Sequence, residues 1–282
     1  MPVFHNDSIV ILPLLALPGY LGSTAAQGVQ SQMNASLLGR VLEVARHDGA
    51  GELFVRGLRV FHRRAVHPFM PRLEPERLAG ISGPDDRRLG DAFVERLLPS
   101  PFYDPAGYEE ALIRGLRQFV RANDRVTVVG GGAGVTAAIA AQLAGPTGRV
   151  ICFEGTAKCA SDVRKTAERN KVEVDVRDAV VGVALHVYGK AADKLVAPLD
   201  LPECDVLELD CEGAELMILG GMSLRPRHIL VETHGFYGAP TKAVHEALEG
   251  LGYDVEDLGL AEPRQHTTCE RRDIRVLAAT RR

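Results

Sequence analysis

Short apolar runs of strand length alternate with amphipathic helical patterns from about residue 105 to the C-terminus. The predicted strands lie at 125–129, 150–153, 172–177, 206–209, 228–233, 253–255 and 274–278. Val-, Ile- and Leu-rich strands separated by helices form parallel sheets that helices cover on both faces. We therefore expect residues 105–282 to form an α/β domain with a doubly wound, mostly parallel sheet of seven strands.

The first 104 residues follow a different pattern, and we expect them to form a mainly helical N-terminal extension. Apolar residues recur at three- and four-residue spacings over 35–45 and 51–66, which is typical of amphipathic helices. The polar, proline-containing stretch 71–90 is interpreted as a surface connection. The extension could cover the sheet, line part of a substrate pocket or form a dimer contact, so a homo-oligomer is one of our predictions.

Composition excludes several classes of protein. The formal net charge of −4 gives no basic excess, so we expect no nucleic-acid partner. The apolar run 9–21 is interrupted by Pro13 and Pro18 and is shorter than the roughly 20 residues of a membrane span. The five cysteines include no CxxC pair, which indicates reduced thiols in a cytoplasmic protein.

The glycine-rich turn after the first predicted strand is the first candidate for a ligand site. Ligands of such sheets bind at the carboxyl ends of the strands. Gly130, Gly132 and Gly134 lie in this turn, where glycine lets a ligand approach main-chain N–H groups. Glu154 ends the next strand about twenty residues later, at the position where a carboxylate can bind the two hydroxyls of a ribose. The pair indicates a nucleoside ligand, and both NAD and S-adenosylmethionine satisfy it.

The fourth strand distinguishes these ligands. It reads Asp205-Val206 and then Asp210-Cys211-Glu212-Gly213-Ala214-Glu215. This segment resembles the D-V-x-K-I-D-x-E-G-x-E pattern of the FkbM family of methyltransferases, with Glu208 at the position where lysine is frequent. Similar segments follow the family order at 150–170, 178–182, 229–234 and 248–255, although Gly155 replaces the usual proline. The resemblance covers roughly residues 107–280 and excludes the first hundred.

The resemblance implies a sheet of the class I methyltransferase type and S-adenosylmethionine as cofactor. It also implies O-methylation of a small polar acceptor such as a sugar or sugar conjugate. Its site residues would be Gly130, Gly132 and Gly134 at the amino-acid part of the cofactor, Glu154 and Gly155 at the ribose, Asp178 and Ala179 at the adenine, and Asp210 opposite the methyl group.

Asp210 and His234 are the candidate catalytic residues, because methyl transfer to a hydroxyl requires removal of its proton. An alternative is that Asp210, Glu232 and His234 hold a divalent ion that acidifies the hydroxyl, although no spacing in the sequence requires a metal. Glu212 and Glu215 occupy the first turn of a predicted helix, where the helix dipole favours acids.

One departure from the methyltransferase pattern concerns Gly130. The position two residues before Gly132-Ala133-Gly134 usually carries an acid that lies beside the methionine end of the cofactor. Two other functions therefore stay open at this point. The glycine turn and Glu154 also fit an NAD(P)-dependent oxidoreductase, and the missing acid also fits a non-catalytic binding protein with a degenerate methyltransferase fold.

Overall fold

The computed structural model describes residues 58, 61–97, 105–182 and 194–282. The strands are β1 Arg72–Leu78, β2 Ile81–Arg88, β3 Arg125–Val129, β4 Arg149–Glu154, β5 Asp175–Asp178, β6 Val180–Val181, β7 Leu195–Val196, β8 Val206–Leu209, β9 His228–Glu232, β10 Tyr253–Leu260 and β11 Arg275–Arg281. The helices are α1 Asp91–Leu97, α2 Glu110–Phe119, α3 Val135–Ala144, α4 Ala157–Arg169, α5 Glu215–Gly221, α6 Thr241–Gly250 and α7 His266–Arg272.

Seven of these strands form one sheet in the order β10-β11-β9-β8-β3-β4-β5. Neighbouring strands are parallel from β9 to β5. The last strand, β11, is inserted between β9 and β10 and is antiparallel to both. This order confirms the predicted seven-stranded, mostly parallel sheet of the class I methyltransferase type.

Helices cover both faces of the sheet. On one face, α2 packs on β9, β10 and β11, and α3 and α4 pack on β3, β4 and β5. On the other face, Ile218 of α5 and Val244 and Leu248 of α6 join a buried apolar cluster with Leu207 and Leu209 of β8. Successive strand residues point to opposite faces, so Glu208 projects from β8 towards the first face.

The predicted elements of the α/β region are confirmed, with shifts at their ends. The strands 125–129 and 206–209 have the predicted bounds. The third strand begins at Asp175, whereas we predicted 172. The helix α7 was not predicted, because His266–Arg272 is rich in polar residues and carries little apolar periodicity.

The prediction of a surface connection at 71–90 was wrong, because β1 and β2 form a hairpin there. Buried Leu78 and Ile81 flank its turn. The Asn170 side chain accepts a hydrogen bond from Ser82 N at 3.1 Å and donates to Ser82 O at 2.8 Å. Arg169 donates to the carbonyl of Gly83 at 2.7 Å. These long-range contacts stabilise strands in a segment whose proline and polar residues predict none.

The hairpin segment Leu73–Arg87 belongs to the same compact unit as the described residues from 105 onward. The helix predicted at 35–45 lies outside the described residues, as does most of the one predicted at 51–66. The described end of the latter is a helical turn, His62–Val66. The domain boundary between residues 104 and 105 stays a prediction. No helix in the described part of the chain is long and apolar enough to cross a bilayer.

Candidate functional site

The glycine loop, residues 130–134, joins the carboxyl end of β3 to the start of α3. Gly130, Gly132 and Gly134 have φ values of 95°, 49° and 81°, in the left-handed region that glycine adopts most readily. The loop also packs closely on the rest of the domain. A Cβ atom at Gly134 would lie 2.7 Å from the Cα of Val163 in α4. The backbone path of the loop therefore requires glycine.

Gly130 brings the loop against the end of β8. A Cβ atom built there would lie 1.7 Å from the carbonyl oxygen of Asp210. No side chain fits in this space, so the acid usual in methyltransferases could not occupy position 130 without moving one of the two chains. Asp210 lies at this point instead, and its N–H donates to the carbonyl of Val129 at 2.9 Å.

The Glu154 carboxylate is buried under the glycine loop. Its Oε2 atom accepts from the N–H groups of Gly131 and Gly132, both at 3.0 Å. Its Oε1 atom accepts from the N–H of Thr156 at 2.9 Å and from the Thr156 hydroxyl at 3.4 Å. Burial raises the pKa of this carboxyl, and the four hydrogen bonds oppose that shift. The structure thus brings the predicted acid to the glycine loop, where it holds the loop in place.

The remaining predicted cofactor residues lie at the ends of β4 and β5. Gly155 is half-buried and directly follows Glu154. Asp178 is exposed and pairs with Arg164 of α4. Ala179 is buried, and its N–H donates to the carbonyl of Glu154 at 3.0 Å. These residues lie at the carboxyl edge of the sheet, and their contact with a cofactor stays a prediction.

The predicted catalytic residues meet at the ends of β8 and β9, in what we call the acid–histidine cluster: Asp210, Glu212, Glu215, Glu232 and His234. All five side chains are buried. The Nε2 atom of His234 lies 3.5 Å from Asp210 Oδ1, 3.6 Å from Glu212 Oε2 and 3.6 Å from Glu232 Oε1. Asp210, Glu232 and His234 together offer three potential ligand atoms within 4.8 Å of one another.

Glu215 lies in the first turn of α5, as predicted, and it also contacts His234, which was not predicted. Its Oε1 atom lies 2.7 Å from His234 Nδ1 and also accepts from the N–H groups of Cys211 and Gly213, at 3.3 and 3.2 Å. These bonds span Glu212, a non-glycine residue with φ of 53°. Glu215 therefore fixes both the imidazole and a strained turn.

The carboxylates control the charge of His234. Burial alone would lower its pKa, but Glu212, Glu215 and Asp210 together raise it to about 10. Burial raises the pKa of Glu232 to about 7. The cluster therefore combines a histidine that keeps its proton at neutral pH with one carboxyl, that of Glu232, that is costly to ionise.

The sequence did not single out several other buried acids on this side of the sheet. Glu208 is fully buried, and burial raises its pKa to about 8, although the side chain of Thr136 opposes this shift. Glu109 precedes α2 and raises the pKa of the neighbouring Tyr108 hydroxyl, although burial of the tyrosine has the larger effect. The signal that could have found Glu208 is an acid in the middle of an apolar strand.

Comparison with solved structures finds methyltransferases. An O-methyltransferase from Bacillus cereus in complex with SAH is 16% identical, with a TM-score of 0.40, and the match covers 67% of this chain and 87% of that one. A ribosomal protein L11 methylase from Lactobacillus delbrueckii subsp. bulgaricus is 12% identical, with a TM-score of 0.44 and coverage of 63% and 80%. A precorrin-6y C5,15-methyltransferase from Geobacter metallireducens GS-15 is 17% identical, with a TM-score of 0.40 and coverage of 62% and 87%.

No protein-family profile matches the sequence, and no curated protein matches it either. Membership of the FkbM family therefore stays a prediction that rests on the residues quoted above. The fold assignment rests on the strand order of the sheet.

Proposed function

We propose that the chain is an S-adenosylmethionine-dependent methyltransferase that O-methylates a small polar acceptor such as a sugar or sugar conjugate. The observation that carries the proposal is the position of β11, antiparallel between β9 and β10. In the dinucleotide-binding fold the strands, numbered along the chain, lie in the order 3-2-1-4-5-6. Its last three strands are therefore neighbours in chain order, with no later strand inserted between them. The inserted strand favours the methyltransferase over an NAD(P)-dependent oxidoreductase.

The geometry of the carboxyl edge is compatible with this cofactor. The main chain from Gly130 to Gly134 carries no large side chain, and Asp210 lies directly across from Gly130. The N–H groups of Gly131 and Gly132 already receive a carboxylate oxygen from Glu154. Binding of a ribose by Glu154 would require this carboxylate to exchange at least one of those bonds for a hydroxyl.

When bound, S-adenosylmethionine supplies a methyl group activated by a positively charged sulfur. The protein has to align the acceptor oxygen with that carbon and remove the hydroxyl proton. Asp210 is the better proton acceptor of the predicted pair, because His234 keeps its own proton at neutral pH. His234 would then hold the Asp210 carboxylate in place from 3.5 Å.

Binding measurements with S-adenosylhomocysteine and NADH on the full chain test the proposal. We expect S-adenosylhomocysteine to bind and to raise the melting temperature, and NADH to do neither. Binding of NADH instead would support the oxidoreductase, and binding of neither would support the non-catalytic protein. An acceptor panel of sugars, followed by mass spectrometry for a gain of one methyl group, then tests the acceptor class. The small-molecule acceptor, the cytoplasmic location and a homo-oligomeric state remain predictions.

A further inference from the structure

The environment of His234 Nε2 differs from that of Nδ1 in the same ring. Nδ1 lies at hydrogen-bond distance from Glu215, at 2.7 Å. Nε2 is buried and has no hydrogen-bond partner, although carboxylate oxygens of Asp210, Glu212 and Glu232 surround it. These three oxygens stop at 3.5–3.6 Å, beyond the range of a hydrogen bond.

The distances from Nε2 to these carboxylate oxygens match those between two ligand atoms of one metal ion. Two ligand atoms that are each about 2.1 Å from a shared ion in tetrahedral geometry lie roughly 3.4 Å apart. A direct ion pair between the imidazole and one carboxylate would instead shorten a single contact to about 2.8 Å. The potential ligand atoms of Asp210, Glu232 and His234 all lie within 4.8 Å of one another, so the three groups surround one small volume.

Glu215 supplies the support that metal-binding histidines usually have. Such a histidine donates its other ring N–H to a carboxylate or a carbonyl, which fixes the tautomer and the ring orientation. Binding of an ion would displace the proton from Nε2 to solvent. The contact between Nδ1 and Glu215 Oε1 would then direct the freed lone pair of Nε2 towards Asp210 and Glu232. Glu215 is itself held by the N–H groups of Cys211 and Gly213.

We propose that Asp210, Glu232 and His234 bind a divalent transition-metal ion of the Mn²⁺ or Zn²⁺ class, with Glu215 orienting the imidazole. One nitrogen and two or more carboxylate oxygens suit these ions better than Mg²⁺ or Ca²⁺, which prefer oxygen ligands alone. Glu212 lies 3.6 Å from Nε2 but outside the group of three, so it adds negative charge without being a ligand.

The position of the ion gives it a role in the proposed reaction, and this part of the inference rests on the proposed function. Three protein ligands leave a coordination position for an acceptor hydroxyl, as in catalytic zinc sites. A metal ion lowers the pKa of a bound hydroxyl or water. The ion would therefore prepare the acceptor oxygen at the end of β8, beside the glycine loop.

Metal titration of chelator-treated full-length protein tests the site directly. Calorimetry with MnCl₂ and with ZnCl₂, together with the electron paramagnetic resonance signal of Mn²⁺, should show one bound ion per chain. Glu232→Gln and Asp210→Asn should weaken binding by about 100-fold or more. Glu215→Gln should weaken it by about 10- to 100-fold, as for other partners of metal-bound histidines. Glu256→Gln, in an exposed part of β10, is the matched control and should bind as the parent does.

Absence of an ion from the parent protein would overturn the proposal, whether or not the variants fold. Equal binding by the parent and by both ligand variants would also overturn it. Binding of S-adenosylhomocysteine to the metal-free protein is measured in parallel. A chain that binds S-adenosylhomocysteine and no metal refutes the metal site alone. A chain that binds the metal and not S-adenosylhomocysteine refutes the methyltransferase and leaves the metal site standing.

Discussion

The glycine loop and the acid–histidine cluster lie on the same edge of the sheet but satisfy their polar groups in opposite ways. In the loop, both oxygens of Glu154 accept two hydrogen bonds each. In the cluster, the buried Nε2 atom of His234 and the Oε2 atom of Glu215 have none. A buried polar atom without a partner typically costs about 1–3 kcal/mol.

This difference indicates a structural role for the glycine loop and a binding role for the acid–histidine cluster. In the loop, glycine conformations and the Glu154 carboxylate determine the backbone path, and the hydrogen bonds of this carboxylate are satisfied within the protein. The cluster holds several like charges at a stability cost that a bound cation would offset. Perturbed, incompletely satisfied groups of this kind concentrate at functional sites. Substitutions in the loop should therefore lower stability, whereas removal of a buried carboxyl from β8, the strand that leads into the cluster, should raise it.

The largest expected effect is in the loop, from Gly130→Ala. The new methyl group would collide with the Asp210 carbonyl at a position with φ of 95°. We expect a loss of about 4 kcal/mol or more in the free energy of unfolding, measured by urea denaturation. Gly238→Ala is the matched control, because Gly238 has a φ of 94° in the left-handed region but has open space around its Cα. That control should lose only about 1 kcal/mol, and equal losses in the two variants would rule out the collision.

Glu154→Gln should have the next largest effect. The amide cannot accept from Gly131, Gly132 and Thr156 as the carboxylate does, so we expect a loss of about 2 kcal/mol. Binding of S-adenosylhomocysteine should weaken as well. The control is Glu173→Gln, at an exposed position, which should change stability by less than about 0.5 kcal/mol. Parent-like stability and parent-like binding in Glu154→Gln would show that the carboxylate neither holds the loop nor contacts the ligand.

The smallest expected effect has the opposite sign and comes from Glu208→Met. Glu208 is fully buried, and burial raises the pKa of its carboxyl to about 8 despite the opposing effect of Thr136. Methionine has a similar length without the polar atoms. We expect the variant to gain about 1 kcal/mol in the free energy of unfolding. Thermal and urea denaturation measure the gain. A clear loss of stability would mean that the Glu208 carboxyl is better satisfied than its surroundings indicate.

The sequence predicted that the glycine loop and Glu154 lie at the same edge of the sheet, because both depend on local patterns, and the binding of a ribose by Glu154 stays a prediction. Glycines after an apolar strand and an acid after the next strand lie together in any parallel sheet of this kind. It also predicted that Asp210 and His234 would meet at one edge. It did not predict that Glu215 contacts His234, because the meeting of a helix start with the residue after β9 depends on tertiary packing.

The hairpin of β1 and β2 was missed for a related reason. Its strands have little apolar alternation, and contacts with Asn170 and Arg169, more than eighty residues away, hold it against the domain. Glu208 was noted only as a substitution for a frequent lysine, since its burial follows from the helices that cover β8. Local patterns therefore predicted the sheet, and packing between distant segments determined the rest.

Calorimetric titration of the unmodified chain is the direct test of whether the carboxyl edge of this sheet binds S-adenosylmethionine. We expect S-adenosylhomocysteine to bind with one equivalent per chain and NADH to give no heat of binding. No binding of S-adenosylhomocysteine by the folded chain, or binding of NADH in its place, would contradict this expectation.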